Sequence, residues 1–345
     1  MTKPFFSICI AAFNADRYFD DCLRSIASQS CGDYEVVVVD DGSTEPLTLD
    51  EGTAGCLSAV RVERIPNSGP YAARQKAFDL ARGEVVVCVD SDDKLLDRSM
   101  LEKLKNVFID HGADVVFYNA TCDERRPVRF LDLSGLGGGG PVEEGAVWRV
   151  YTKGYSLNSL WCKAFKRTLY TKSEKPRPRL LMAEDRLQSL EIMRNAGSFW
   201  LVDEPLYFYR YNPASTTNGG YDPAYFYQAC YVEDEVLAFM DERGIPAGDW
   251  AAHFLSTASG ALLGLRYNET LSRAERWAAY EAIRREHALE VAMGLRSDSY
   301  LSAVDGLRLT LMEEKRFRLL DLNMLPWKAG SVLKHLPDSF RLKGR

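Results

Sequence analysis

Asp90-Ser91-Asp92-Asp93 follows directly on the apolar run Val85-Val86-Val87-Cys88-Val89. A short run that is apolar at consecutive positions reads as a central parallel strand, buried on both faces. The carboxyl ends of such strands open onto the crevice in which open α/β sheets hold nucleotides. Acidic groups packed this closely repel one another unless a cation neutralises them. A hard divalent ion, Mn2+ or Mg2+, bound through oxygen and bridging to a diphosphate, suits that task. The alternative is a solvated turn capping a helix over 94–109, since Asp and Ser are ordinary turn and N-cap residues.

Two more β-branched runs precede this one. Phe6-Ser7-Ile8-Cys9-Ile10 ends at Ala11-Ala12-Phe13-Asn14, and Val36-Val37-Val38-Val39 ends in Asp40-Asp41-Gly42-Ser43-Thr44. Between them Phe19, Cys22, Leu23 and Ile26 recur at helical spacing within 18–29. Strand, helix and strand, then helix and strand again, predict an α/β fold with a doubly wound, mostly parallel sheet and right-handed crossovers.

In order and spacing, these segments resemble the family-2 glycosyltransferases of the GT-A type. Their first half commonly reads as a strand leading to Asn, then V-D-D-G-S-T, N-x-G-x-x-x-A-R, A-x-G-E and D-S-D-D. This chain supplies Asn14, Val39 to Thr44, Asn67-Ser68-Gly69-Pro70-Tyr71-Ala72-Ala73-Arg74, Ala81-Arg82-Gly83-Glu84 and Asp90 to Asp93. The resemblance is dense over 5–97 and returns over 160–217. It implies a nucleotide-sugar donor, in the first place a UDP-sugar, and gives residues roles on it. Ala11, Phe13 and Asn14 would line the nucleotide. Asp41, with Asp40 alongside, would accept the N3–H of uracil, an edge that suits an acceptor-only carboxylate; an Asx-type turn is the other reading of this pair. Arg74 would contact the nucleotide or its phosphates, or be a surface helix arginine. Asp92 matches the metal ligand and Asp90 the residue contacting ribose or a metal-bound water, with Ser91 on the donor and Asp93 in support.

Sugar transfer also needs a base for the acceptor hydroxyl. Met182-Ala183-Glu184-Asp185-Arg186-Leu187 resembles the family's G-E-D segment, which makes Asp185 the base and Glu184 a neighbour shaping its field; first-turn helix acids would look the same. Ala183 in place of the usual Gly reads as a mild departure, since both are small. Trp161-Cys162-Lys163-Ala164-Phe165 resembles the W-N-K segment before the base, with Cys162 for Asn. Trp161 could stack on a sugar face or be a core residue, and Lys163 counts as support. Tyr207-Phe208-Tyr209-Arg210, followed by Asn212, Ser215 and Thr216, resembles the end of the catalytic domain, with Arg210 a pyrophosphate contact. The run Gly135 to Gly145 cannot pack a core and should be mobile, either as a loop closing on substrate or as a surface excursion.

At 345 residues with a net charge of −6, the chain can bury a large core and is unsuited to general nucleic-acid binding. Its eight cysteines show no C-x-x-C or metal-ligand spacing, which fits reduced thiols in the cytoplasm. No apolar run approaches the length of a membrane span. Past Gly220 the pattern turns helical: Tyr225, Ala229, Val232, Val236 and Phe239 recur at helical intervals up to Gly244, and Ser272-Arg273-Ala274-Glu275 reads as a capping box opening a helix through Glu286. The expected division is a catalytic domain over 1–220 and a helical region over 221–345. The basic and apolar segment from Lys315 to Arg345, with Leu319, Leu320, Leu322, Met324, Leu325 and Trp327, could dock on a membrane surface, form a homodimer contact or pack back on the catalytic domain. The acceptor would be a glycan or lipid-linked glycan. An oxidoreductase is disfavoured because no glycine-rich turn follows the first strand, and a sugar nucleotidyltransferase lacks its glycine-rich segment there. A haloacid-dehalogenase-like phosphatase would carry its acidic motif on the first strand. A catalytically inactive nucleotide-sugar or glycan-binding module remains the alternative of another class.

Overall fold

The computed structural model describes residues 3–15, 18–172, 175, 177–212, 222–297 and 301–324. The chain divides into two compact units, one from Met1–Tyr151 and Ser156–Asn218, the other from Thr152–Tyr155 and Gly219–Arg345. The first unit opens with β1 (Phe6–Ala12), α1 (Phe19–Ala27), β2 (Tyr34–Asp40), α2 (Glu51–Cys56), β3 (Val60–Arg64), α3 (Pro70–Leu80) and β4 (Val85–Cys88). It continues with β5 (Lys94–Leu95), α4 (Met100–His111), β6 (Val115–Thr121), β7 (Gly140–Val142), α5 (Glu144–Lys153), β8 (Lys163–Lys166), α6 (Glu184–Met193) and β9 (Phe199–Phe208).

These strands form one sheet in the order β3-β2-β1-β4-β8-β6-β9-β5, with β7 added on β9. The β1–β2, β2–β3, β1–β4 and β6–β9 pairs are parallel, whereas β8 runs antiparallel to both β4 and β6, and β5 and β7 antiparallel to β9. The carboxyl ends of β1, β2, β4, β6 and β9 therefore share one edge, and the sheet is mostly parallel. Every residue of β2 and β4 is buried, as β-branched runs covered on both faces should be.

Two local expectations fail. A helix over 94–109 does not form: Lys94 and Leu95 pair with Phe208 and Tyr207, and the helix starts at Met100, after the Asp97 carboxylate has taken the Ser99 N–H at 2.8 Å. The glycine run is not a mobile excursion. Gly137, Gly139 and Gly140 adopt φ of 104°, 106° and 98°, left-handed values that glycine reaches without a Cβ clash. They turn the chain into β7, which hydrogen-bonds to β9 with Val142 opposite Phe199.

In the second unit lie α7 (Pro223–Arg243), α8 (Gly248–Tyr267), α9 (Arg273–Ile283), α10 (His287–Gly294), α11 (Ala303–Glu313) and α12 (Phe317–Asn323). Gly244 closes α7 in the left-handed conformation. The capping box at Ser272 and Glu275 is present, but α9 stops at Ile283, short of Glu286. Asp321 gathers Arg276, Trp277 Nε1 and Tyr280 Oη. Leu319 and Leu322 are exposed while Leu320 and Met324 are buried; Leu325, Trp327 and the rest of the basic segment lie outside the described residues, as do Ser215 and Thr216. Among the described residues no helix is long and apolar enough to cross a membrane.

Gly83 shows how tightly this frame is drawn. A Cβ there would lie 2.5 Å from the Ser7 nitrogen and 2.6 Å from the Phe6 carbonyl carbon, backbone atoms of a central strand that cannot give way. Gly83→Ala should destabilise by roughly 2–3 kcal/mol in urea unfolding, the upper range for overpacking a core. Gly55→Ala is the control, because a Cβ at that glycine meets nothing within 4 Å.

Candidate active site

The acidic segment leaves the carboxyl end of β4, and its carboxylates have unlike surroundings. Asp93 is 1% exposed; its oxygens accept the Tyr207 hydroxyl at 2.8 Å and the Arg210 N–H at 2.7 Å. Burial, then the charges of Asp90 and Asp92, push its pKa well up. The Tyr207 oxygen also receives the Asp90 N–H at 3.0 Å, so one phenol fixes the turn from both sides. Asp92 is half-buried and takes the Asn212 amide on Oδ2 at 2.9 Å, while its carbonyl accepts Arg210 Nε at 2.8 Å. Ser91 sits half-buried in the turn itself. Arg210, expected on a pyrophosphate, is occupied with this loop, with Asp21 at 3.4 Å and with the face of Tyr18 at 4.3 Å.

Arg74, in the second turn of α3, is the hub. One guanidinium nitrogen lies 2.5 Å from Asp185 Oδ1 and 3.2 Å from Glu184 Oε1; the other lies 3.3 Å from Asp90 Oδ1. The side chain is 11% exposed. Burial opposes its charge, but Asp185, Asp90 and Glu184 outweigh that and hold its pKa above the usual arginine value. The excess negative charge falls back on the acids. Burial, then Asp185, raises Glu184 to about 7 against the pull of Arg74. Burial, opposed by Arg74 and reinforced by Asp185 and Asp92, raises Asp90 to about 6.

The start of α6 aims Glu184 and Asp185 at that hub. Ala183 sits at φ 64°, ψ 5°, a left-handed conformation that costs a residue with a Cβ about 1–2 kcal/mol. The departure from Gly is thus a strained one, not a mild one. Lys163 is fully buried and satisfied by the carbonyls of Leu157 and Ser159 and by Ser189 Oγ at 3.0 Å, tying α6 to β8. Arg186, also buried, bonds the Tyr151 carbonyl at 2.9 Å and Asn158 Oδ1 at 3.0 Å. Both cations act as framework for α6.

On the other side of β4, the loops after β1 and β2 are stitched together. Asn14, at φ 50°, gives its N–H to Ser43 Oγ and accepts the Thr44 N–H on its side chain. Asp40 is 1% exposed; burial would raise its pKa, but donation from Ser43 and Leu47 and the Arg64 charge hold it below the usual carboxylate range. Asp41 accepts the N–H of Ser68 at 2.7 Å and of Gly69 at 2.9 Å, one on each oxygen. In this structure the expected uracil acceptor is turned onto its own backbone, where it fixes the N-x-G loop leading to Arg74. Phe13 is 53% exposed and Ala11 half-buried at the β1 end. Trp161 is 5% exposed and packs parallel to both Tyr207 and Tyr209, as a core residue does.

The structure thus brings Arg74, Asp90, Glu184 and Asp185 into one cluster and joins Asp92, Asp93 and Arg210 into the adjoining loop. Sequence reasoning missed Tyr207 and Asn212 as partners of the acids; the Y-x-Y-R segment containing Tyr207 was visible, but nothing local tied it to Asp93. Among the described residues no three His, Cys, Asp or Glu side chains converge as a closed metal cage. Asp93 has both oxygens engaged and does not suit a ligand. Asp92, with Asp90 beside it, offers hard oxygens of the kind that hold Mg2+ or Mn2+ when substrate phosphates complete the shell.

Residues 7–169 match the model of glycosyl transferase family 2. That stretch, just under half of the chain, is similar to that family. The matched residues run from β1 through β8 to Leu169 and stop short of Glu184, Asp185 and Arg210, which join the site by geometry. Over 238 residues the chain is 27% identical to an uncharacterized glycosyltransferase, EpsJ, of Bacillus subtilis, covering 64% of this chain and 65% of EpsJ. It is 34% identical over 120 residues to a PGL/p-HBAD biosynthesis glycosyltransferase of Mycobacterium tuberculosis, 34% of this chain and 47% of that protein. The chain therefore spans less than two thirds of these relatives. In structure it resembles TarS 1-349 of S. aureus, solved in complex with UDP-GlcNAc, with a TM-score of 0.69 and 21% identity over 92% of this chain and 90% of that one. The fold is GT-A.

Glu184 gives a pH signature. Its folded pKa of about 7 lies above the value of about 4.3 expected unfolded, so between those limits the native state keeps a proton the unfolded chain has lost, and stability falls as pH rises. Glu184→Gln stays neutral throughout. Its stability relative to the wild type should climb from pH 5 to pH 7, by at most about 1.4 kcal/mol per unit, and level off above pH 8. Urea unfolding at pH 5, 6, 7 and 8 without metal or nucleotide checks this; a constant difference would refute it.

Proposed function

We propose that this chain is an inverting glycosyltransferase that takes a sugar from a nucleotide sugar, in the first place a UDP-sugar, and adds it to a glycan or lipid-linked glycan in cell-surface polysaccharide synthesis. The observation that carries the reading is the Arg74 junction, which joins Asp185 at the start of α6 to Asp90 at the end of β4. Single displacement needs such a pairing of a donor-side acid with a base on the acceptor side. TarS 1-349 in complex with UDP-GlcNAc supports the donor class, and relatives named as glycosyltransferases support the reaction. Cytoplasmic placement, with peripheral contact to the membrane carrying a lipid-linked acceptor, goes with this reading.

The residues divide the work. Asp92, with Asp90, would hold a divalent cation, which when bound offsets the charge growing on the departing diphosphate. Asp185 accepts the proton of the acceptor hydroxyl as that oxygen attacks the anomeric carbon on the face opposite the diphosphate. The new carbon–oxygen bond forms while the old one breaks, its electron pair leaving with the phosphate. Attack from that face inverts the anomeric centre. Arg74 keeps Asp185 aimed, and Glu184 takes up surplus charge of the cluster as a proton.

Donor binding and transfer separate these roles. In thermal-shift titrations with UDP and Mn2+, Asp92→Ala should lose the Mn2+-dependent stabilisation and Asp185→Asn should keep it. With a panel of UDP, GDP and dTDP sugars, Asp185→Asn should lower transfer by about 10²–10⁴-fold. Wild-type rates in that variant would remove Asp185 as the base, and a wild-type protein that binds none of the donors would remove the reading itself.

A further inference from the structure

Four aromatic rings form one cluster that reaches the acidic turn through the Tyr207 hydroxyl, with Phe130 also 6.5 Å from Trp161 and tilted by 38° to it. Tyr207 and Trp161 are 5.0 Å apart and 8° from parallel, Trp161 and Tyr209 5.6 Å and 28°, Tyr209 and Phe130 5.3 Å and 16°. Exposure rises along it, from Tyr207 at 0% through Trp161 at 5% to Phe130 at 39%. The inner end is part of the site, since the Tyr207 hydroxyl holds Asp93 and receives the Asp90 N–H. Tyr209 immediately precedes Arg210, whose Nε lies on the Asp92 carbonyl.

The outer end is held as firmly. The buried Asn119 accepts the N–H groups of Phe130 and Leu131 on its Oδ1 and donates to the Leu131 carbonyl at 2.8 Å. Thr121 Oγ1 takes the Val128 N–H at 3.1 Å. Phe130 is thus a large apolar ring kept at the surface on a fixed backbone. It follows β6 and stacks on the residue after β9, on the half of the carboxyl edge away from β1 and β2. The loops after β1 and β2 are the nucleotide side of the reading above, which leaves the β6 and β9 half for the acceptor.

We propose that Phe130, backed by Tyr209, is a stacking platform for a sugar ring of the acceptor. This rests on the transferase reading and moves the sugar contact expected of Trp161 to the exposed end of the same stack. One face of a pyranose presents C–H groups, and the negative face of an aromatic ring attracts them while both lose apolar surface to water. A ring already fixed by Asn119 and Tyr209 loses little conformational freedom on binding.

Saturation-transfer NMR tests it, using methyl glycosides of glucose, galactose and N-acetylglucosamine as probes on the full chain with UDP and Mn2+. The axial ring protons of at least one glycoside should be saturated on the wild type and on Phe130→Trp. The signal should fall about fivefold or more on Phe130→Ala, a usual size for truncating an anchoring contact, while UDP binding by thermal shift stays unchanged. Val128→Ala, in the same loop and 70% exposed, should behave as wild type. Undiminished signal on Phe130→Ala, no glycoside signal on a wild type that binds UDP, or weakened UDP binding with normal glycoside signal would each overturn the platform. A wild type that binds neither UDP nor glycoside takes down the transferase reading and the platform together.

Discussion

One guanidinium holds the first unit's chemistry in place. Arg74 faces Asp90, Glu184 and Asp185, one positive charge against three carboxylates in a largely dry setting. Charge pairs at about 3 Å are far stronger there than in water, and taking away the arginine would leave the acids buried and unpaired, the costly half of breaking such a pair. Part of its negative charge is taken up as protons, since burial and the neighbouring carboxylates push Glu184 and Asp90 to about 7 and about 6. A cation-bearing ligand would relieve this excess of negative charge.

The supports of that hub come from distant parts of the chain. Asp41 fixes the Ser68–Gly69 backbone, which sets the start of α3 and hence Arg74. Lys163 and Arg186 anchor α6, which presents Glu184 and Asp185. Tyr207 anchors the turn of Asp90 and Asp93. Asp41, Lys163 and Tyr207 are buried polar groups whose side chains are hydrogen-bonded, the condition under which such networks position side chains rather than destabilise the core.

The sheet was legible because its signals are local. Runs such as Val36 to Val39 have one physical solution, a strand covered on both faces, and the acids that end them must lie on the carboxyl edge. The residues of the hub were legible as types, but their partners were not. Nothing near Asp41 announces that its oxygens are filled by backbone 28 residues away, and Arg74 reads as a phosphate contact until the 111-residue separation to Asp185 is closed. Conformation was the other blind spot. Ala183 looked harmless by size, yet its cost lies in a φ of 64°. The glycine run looked mobile by composition, yet its positive φ values are what let it reach the β9 edge.

The placement of β8 sets where this edge changes from charged to aromatic. It runs antiparallel between β4 and β6, so the segment that enters it, with Trp161, reaches the edge between the turn after β4 and the segments after β6 and β9. Arg74 and Asp90 mark the charged end after β4, while the rings from Tyr207 to Phe130 come from the segments before β8 and after β6 and from β9 with the residue that follows it. The polar side offers charge and oxygen ligands, suited to a diphosphate; the aromatic side offers flat apolar faces, suited to a ring. The sheet's topology itself therefore separates the two kinds of recognition, and the shared turn of Asp90 to Asp93, held from beneath by Tyr207, is where they meet.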